Sequence, residues 1–150
     1  MAFFTYVYYT APEFDGNLLY KKESSNIYDS KGDLITTIGS EKRHIVSYEE
    51  LPQVLIDSII ATEDSRFFMH NGLDIPRFMK ASVSYVAGNN IGGASTLTMQ
   101  ISKNTYTSFD ADGFTGIVRK FTDIYLAVFK LEKEYSKEAI LEFYMNNHFL

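Results

Sequence analysis

Apolar residues recur at helical spacing along most of this chain, and this periodicity limits the fold to a mainly α-helical one. In the clearest stretch, Leu51, Leu55, Ile59 and Thr62 lie three or four residues apart, which places them on one face of a helix. Similar patterns predict helices near residues 50–63, 75–86, 92–104, 115–134 and 136–145. A single β-hairpin is predicted between residues 27 and 38, where a turn containing Asp and Gly separates two apolar runs.

Two of these helices allow finer predictions. Because Ile56 and Ile60 widen its apolar face, the first helix is expected to be buried on more than one side. It is expected to begin near Glu50, with Pro52 in its first turn. The helix near 115–134 is expected to bury a stripe formed by Ile117, Phe121, Ile124, Val128 and Leu131.

Composition excludes several classes of function. The 150 residues carry a net charge of −5, which argues against nucleic-acid binding because neutralising phosphates requires a basic face. The chain has no Cys, so disulfides, thiolate zinc sites and cysteine nucleophiles are excluded. His44 and His148 match no metal-ligand spacing, and no zinc motif is present.

Residues 1–20 are distinguished by their composition and are interpreted as a membrane-proximal segment. Its first nine residues are apolar and aromatic, but a bilayer span needs about 20 residues. Clustered Phe and Tyr suit the membrane–water interface, so the segment is one candidate for the end of a truncated transmembrane anchor. A short strand or an apolar tail is the other interpretation, and the sequence leaves both open.

The first chemical motif runs from Glu63 to Gly72. An acidic pair, two aromatic residues, His70 and a glycine directly follow the first predicted helix. A carboxylate placed where a helix ends against hydrophobic neighbours is suited to act as a general base. The stretch resembles the E-D-x-x-F-x-x-H-x-G motif of the peptidoglycan glycosyltransferases, glycosyltransferase family 51.

Three later motifs resemble those of the same family, in the same order. Gly92–Asn104 is similar to G-G-S-T-[IL]-T-x-Q followed by K-N, with Ala94 and Met99 as departures. Alone, it is equally well read as a glycine turn before a capped helix. Arg119–Asp123 resembles R-K-x-x-E with Asp in place of Glu, and alone it would be read as an exposed ion pair. Lys137–Asn146 resembles K-x-x-I-L-E-x-Y-L-N.

The resemblance implies a lysozyme-like helical glycosyltransferase domain with a short N-terminal β-hairpin and a small membrane-proximal lobe. Such domains occur in class A penicillin-binding proteins and in monofunctional transglycosylases. Residues 21–150 would then be an incomplete domain within a fragment cut at both ends. The implied activity is polymerisation of lipid II into peptidoglycan strands, with inversion at the donor carbon and release of undecaprenyl diphosphate.

The resemblance also implies where the protein acts and with what. The expected location is the extracytoplasmic face of the bacterial plasma membrane. The expected partners are lipid II, the nascent glycan strand, the membrane and other proteins of cell-wall synthesis, with no role for nucleic acid. No cofactor is expected to be required, although a Mg²⁺ ion at the diphosphate is compatible with the motifs.

Individual residues receive expected roles from the same resemblance. Glu63 is the expected general base, and Asp123 is expected to orient nearby cations or to hold the Mg²⁺ ion. Lys103, Arg119 and Lys120 are expected to neutralise the diphosphate. The remaining expected substrate-binding residues are Asp64, Phe67, His70, Ser95, Thr96, Gln100 and Asn104. His70 is also a candidate for a structural hydrogen bond, and it is not expected to bind metal.

Some alternatives remain open on the sequence alone. A hydrolytic muramidase would share the fold and the glutamate, but it would not need a cationic phosphate site. A non-catalytic membrane-associated relative that binds lipid II or partner proteins is the other alternative, because Asp123 shortens a family carboxylate. Glu142 and Asn146 are expected to brace the site. The apolar side chains of the helix near 75–86 face either lipid or the core: Ile75, Phe78, Met79, Val83 and Val86.

Overall fold

The computed structural model of the chain describes residues 2–20, 25–38, 45–88, 93–108 and 110–148. These residues form a mainly α-helical fold with one two-stranded antiparallel sheet, which confirms the predicted fold class. The helices are α1 (Ala2–Thr10), α2 (Gln53–Glu63), α3 (Ile75–Val86), α4 (Leu97–Tyr106), α5 (Gly113–Leu126), α6 (Glu132–Glu134) and α7 (Lys137–His148). A π-helical turn, Ala127–Leu131, joins α5 to α6. The strands are β1 (Ser25–Tyr28) and β2 (Leu34–Ile38).

The β-hairpin forms where the sequence predicts it. Ile27 pairs with Thr36 across the two antiparallel strands, and the register shifts by one residue before Tyr28. The turn is held by Asp29, whose carboxylate accepts the backbone N–H groups of Lys31 and Asp33, each at 2.8 Å. Asp favours turns because its short side chain can accept hydrogen bonds from nearby backbone N–H groups. This property explains why the sequence predicts the turn correctly.

Helix α2 begins later than predicted. Ser47 and Glu50 do bond to each other, since the Ser47 N–H and hydroxyl both donate to the Glu50 carboxylate. They close a separate 3₁₀ turn over Tyr48–Glu50, after which Leu51 and Pro52 adopt extended backbone angles. Gln53 therefore starts the helix, with Pro52 just before it.

The prediction that α2 is buried on more than one side is wrong. Ile56 and Ile59 are buried, but Val54 is 73% exposed and Leu55 is also exposed. Helix α4 takes the central position instead, with a nearly continuous buried run from Leu97 to Ser102, and it packs against both α5 and α7. The core is built around α4 and α7, and α2 contributes one face to it.

The buried face of α5 also differs from the predicted stripe. Ile117 is 52% exposed, whereas Thr122, Asp123 and Leu126 are buried. Burial of the carboxylate is tolerated because the Thr107 hydroxyl donates a hydrogen bond to it. The inner face of α5 therefore contains polar residues, although the apolar pattern alone predicts Ile117 on that face.

Residues Ala2–Thr10 of the N-terminal segment form helix α1, so this part of the segment is helical and is not a strand. Its aromatic side chains pack on α5, where the rings of Phe3 and Phe4 each meet the ring of Phe121 edge to face. Over the residues that the structure describes, no helix has both the length and the apolar character needed to cross a bilayer.

Candidate active site

A cavity of about 530 Å³ opens where the end of α2 meets α4 and α5. It brings together residues from three of the four motifs, which lie far apart in sequence. The predicted site residues in its lining are Glu63, Ser95, Gln100, Lys103, Asn104, Arg119, Lys120 and Asp123. The lining thus contains one glutamate from α2 together with cations from α4 and α5.

Glu63 is the last residue of α2, so its side chain projects from the point where the helix ends. Gln100, on α4, donates from Nε2 to the Glu63 carboxylate over 3.0 Å. The other end of that amide accepts from the Tyr144 hydroxyl over 3.5 Å, a long contact at the limit of hydrogen bonding. Both contacts orient the amide so that its N–H faces the carboxylate, and Glu63 is partly buried where it lines the cavity.

Three predicted cations share the lining with Glu63. Lys103 lies on α4, and Arg119 and Lys120 are neighbours on α5. The Lys120 ammonium donates to the Ser95 hydroxyl over 2.6 Å. Burial lowers the pKa of Lys120, Asp123 opposes that change, and the positive charges of Lys103 and Arg119 lower the pKa further. Like charges concentrated in one cavity make a site for an anionic group, because an anion relieves their repulsion.

Asp123 belongs to the same lining but is only 3% exposed. Thr107 donates a short hydrogen bond to it. Burial raises the pKa of Asp123 to about 6, although the Thr107 hydrogen bond and the charges of Lys120, Arg119 and Lys103 all act in the opposite direction. Asp123 is therefore placed to influence the cations more than to reach a ligand.

The first motif divides between the cavity and the core. Asp64 and Phe67 are buried, at 1% and 0% exposure, and neither belongs to the lining. The Asp64 carboxylate bonds His70 Nε2 and accepts the N–H of Leu97, which ties the motif to the start of α4. This burial does not fit the substrate contacts expected of Asp64, Phe67 and His70. It fits the structural hydrogen bond that was the alternative for His70.

Thr96 and the fourth motif also act as supports. The Thr96 side chain is fully buried, caps α4 by accepting the Met99 N–H, and donates to the backbone oxygen of Gly72. Glu142 accepts the N–H of Tyr48, and Asn146 bonds both polar backbone groups of Val46. These contacts attach α7 to the segment before α2, so bracing by Glu142 and Asn146 acts on that segment. Gly92 and His44 lie outside the described residues.

Sequence reasoning missed four residues of the lining, namely Thr62, Arg77, Gly93 and Met99. Gly93 and Met99 lie inside the second motif, next to predicted site residues. Arg77 lies outside every motif, in the first turn of α3. Its only sequence signal is Asp74 three residues earlier, the spacing of a helix cap, which predicts a helix start and not a cavity.

These features define a class of protein: a helical domain whose cavity sets one accessible carboxylate against clustered cations. The family profile described as Transglycosylase matches residues 31–150, and the chain belongs to this family. Penicillin-binding protein 1A/1B of Bacillus subtilis (strain 168) is 40% identical over 137 residues, covering 91% of this chain and 14% of the relative.

Two further relatives agree. Penicillin-binding protein 1A of Streptococcus oralis is 37% identical over 148 residues, covering 98% of this chain and 23% of the relative. Penicillin-binding protein 1A of Aquifex aeolicus (strain VF5) is 36% identical over 129 residues, covering 85% of this chain and 17% of the relative. The chain thus spans less than a quarter of the length of these curated relatives.

Proposed function

We propose that this domain transfers glycosyl units from a lipid-linked diphosphate, and so polymerises lipid II into peptidoglycan strands. The observation that carries the proposal is the single cavity shared by Glu63 and the cations Lys103, Arg119 and Lys120. Family membership supports the reaction class, and the cation cluster supports a donor whose leaving group is a diphosphate. Undecaprenyl diphosphate is the leaving group that we propose.

The proposed step needs a base on one side of the reacting carbon and positive charge on the other. Glu63 takes the proton of the acceptor hydroxyl as the bond from that oxygen to the donor carbon forms. The bond from the donor carbon to the diphosphate oxygen breaks, and Lys103, Arg119 and Lys120 stabilise the negative charge that develops there. Because attack and departure occur on opposite faces, the product has inverted configuration at the donor carbon.

Ser95, Gln100 and Asn104 lie in the same lining and would contact the sugar and phosphate oxygens. Ser95 already accepts from Lys120, so its hydroxyl proton is left to donate to a phosphate oxygen. Asp123 would keep the two α5 cations in place. No position in this scheme requires Asp64, Phe67, His70 or Thr96 to touch the substrate.

The lining is a poor fit for a Mg²⁺ ion held by the protein itself. Mg²⁺ requires near-octahedral oxygen ligands, and Asp123 is buried among cations with one oxygen already bonded to Thr107. Among the residues that the structure describes, no group of three or more acidic, His or Cys side chains could hold a metal. We therefore derive no step through a metal and expect that none is required.

We further propose that the domain works at a membrane surface, on the extracytoplasmic face of the plasma membrane, together with other cell-wall proteins. The support on the molecule is the outer face of α3. Ile75, Met79 and Val83 recur every four residues along that face, and all three side chains are exposed. Such a stripe suits contact with lipid, which favours the lipid-facing interpretation of this helix over core packing.

Resolving the products made by the full-length protein from lipid II tests the proposal against its two competitors. Glycosyl transfer predicts glycan polymers and released lipid diphosphate. Sugar fragments released from preformed cell wall would instead indicate a muramidase, for which the cations have no use. Binding of lipid II without any product would indicate the non-catalytic relative. Either result would contradict the proposed function.

A further inference from the structure

Arg77 lies in the cavity although it belongs to none of the four motifs. Its side chain joins the lining close to Glu63, and Nη1 donates a hydrogen bond of 2.9 Å to the backbone oxygen of Glu63. The two residues are 14 positions apart, so the contact depends on how α3 packs against the end of α2.

The accepting oxygen is one that a helix leaves without an internal partner. Glu63 ends α2, and the last four carbonyl groups of any α-helix cannot bond within the helix. After it, Asp64 turns away with φ −152° while its N–H still bonds the oxygen of Ile60. A guanidinium at this end is favourable because it satisfies a carbonyl and opposes the negative end of the helix dipole. Arg77 therefore fixes the backbone at the point where Glu63 leaves the helix.

Arg77 is itself anchored by a buried carboxylate. Asp74 is 1% exposed, and its Oδ1 atom accepts the backbone N–H of Arg77 over 3.0 Å. The same oxygen accepts from Arg66 Nη2 over 2.7 Å. The carbonyl of Asp74 accepts the N–H of Phe78, so Asp74 begins α3 and places Arg77 in its first turn. The backbone from which Arg77 reaches Glu63 is thereby held in place.

Glu63 is thus held at two points, with Gln100 bonding its carboxylate and Arg77 bonding its carbonyl. We propose that Arg77 is a positioning residue for Glu63, which fixes the direction in which the glutamate enters the cavity. This inference rests on the proposed function, because it assumes that Glu63 is the base. A base displaced by about 1 Å can lose on the order of 100-fold in rate, so loss of the anchor should slow the chemical step.

The test compares two arginines near Asp74. Arg66 bonds Asp74 through its guanidinium, whereas the guanidinium of Arg77 bonds Glu63. In the full-length protein with lipid II as substrate, Arg77→Met should lower kcat roughly 10- to 100-fold with KM within about twofold. Arg66→Met is the matched comparison, since it removes the guanidinium bonded to the same buried carboxylate but leaves the Arg77 contact with Glu63 in place, and it should lower kcat less than Arg77→Met does. Arg77→Lys keeps a charge and a donor and should restore most of kcat.

Several outcomes would overturn the inference while leaving the proposed function standing. If the wild type polymerises and Glu63→Gln does not, but Arg77→Met retains its kcat, Arg77 does not position Glu63. A raised KM with an unchanged kcat would mean that Arg77 binds substrate directly. Equal losses in the Arg66 and Arg77 variants would mean that any disturbance near the start of α3 slows the reaction, and that the contact between Arg77 and Glu63 has no special role. If the wild type itself makes no polymer, the proposed function fails and the inference fails with it.

Should Arg77→Met fail to fold, the comparison of Arg77→Lys with Arg77→Gln decides the same question. Both keep a donor at the end of a flexible stem, but only lysine keeps the charge that favours the end of α2. A higher kcat for the lysine variant at equal KM supports positioning. Equal kcat values for the two variants and the wild type would contradict it.

Discussion

At the scale of single residues, the most informative group is the carboxylate of Asp123. The family motif has a glutamate at this position, and its side chain is one methylene longer. Asp123 is buried, shares the cavity lining with the cations and accepts a hydrogen bond from Thr107. Burial raises its pKa to about 6, so near pH 7 the carboxylate is mostly ionised, and below pH 6 it becomes mostly protonated. A role in orienting Arg119 and Lys120 therefore requires the ionised form and should weaken in mild acid.

The same pKa predicts how Asp123 affects stability. Its pKa is about 6 in the folded protein and 3.8 in the reference state, so the folded chain binds the proton more tightly between those pH values. Proton binding by Asp123 therefore adds at most about 3 kcal/mol to the free energy of unfolding. This contribution is fully present below pH 3.8 and is lost as the pH rises through 6.

Urea unfolding at several pH values checks this sign. The free energy of unfolding of the wild type relative to Asp123→Asn should fall between pH 4 and pH 6 and then level off. Asp33→Asn, at an exposed position in the hairpin turn, is the control and should show no such trend. A difference that stays constant or rises across this interval would contradict the assignment.

At the scale of elements, the π-helical turn after α5 meets the backbone of Gly72. A Cβ at Gly72 would lie 2.9 Å from the Ala127 carbonyl carbon and 3.1 Å from the Val128 nitrogen, and Gly72 has φ +82°. This contact explains why the first motif ends in glycine, since only glycine lets the motif approach the helix that carries the cations.

Gly72→Ala should therefore destabilise the chain through both strain and overlap. Gly88→Ala is the matched control, because Gly88 has φ +76° but nothing among the described residues within 4 Å of its would-be Cβ. The control should lose about 1–2 kcal/mol, and Gly72→Ala should lose about 1–3 kcal/mol more, measured as the free energy of unfolding. Equal losses would show that the backbone contact is unimportant.

A buried ion pair joins the first, second and fourth motifs. Lys137 donates to Glu132 over 2.8 Å and to the backbone oxygen of His70 over 2.7 Å, and its ammonium lies 4.3 Å from the centre of the Phe67 ring. Thr98 donates to the same Glu132 carboxylate over 2.6 Å. These contacts give Lys137 a structural role, as the contacts of Glu142 and Asn146 do for those residues of the same motif.

Lys137→Met should leave the Glu132 carboxylate buried without its cation and cost about 3–5 kcal/mol. Lys133→Met, one turn earlier on the exposed surface, should change the free energy of unfolding much less. Thermal or urea unfolding of both variants measures the difference. A small loss in Lys137→Met would mean that Glu132 is readily hydrated or protonated.

The sequence predicted which segments are helices better than which sides of them are buried. The bounds of α3 were predicted to the residue, because its periodic apolar residues lie between clear ends. The inner face of α5 was missed, because the burial of Asp123 depends on Thr107 from another element. Arg77 was missed for the same reason, since its partner Glu63 belongs to a different helix. The periodicity of residues within one element does not predict which residues of other elements it contacts.

At the scale of the whole molecule, the exposed stripe on α3 predicts membrane binding. Replacing Met79 and Val83 together with Ser removes apolar area that lipid would cover, and it should weaken partitioning onto anionic vesicles by about 1–2 kcal/mol, roughly tenfold. Ile35→Ser, at an exposed apolar position on β2, is the control and should leave partitioning unchanged. Equal binding of both variants in a flotation assay would contradict a lipid-facing α3.

The proposed function depends on Glu63 accepting a proton in the cavity that it shares with the cation cluster. The most direct measurement is the rate of glycan polymerisation from lipid II by the full-length wild type and by Glu63→Gln, with lipid II affinity measured alongside. The account predicts that kcat falls roughly 10²- to 10⁴-fold while affinity stays within about threefold, because the cations still hold the diphosphate. Polymerisation by Glu63→Gln at the wild-type rate would contradict it.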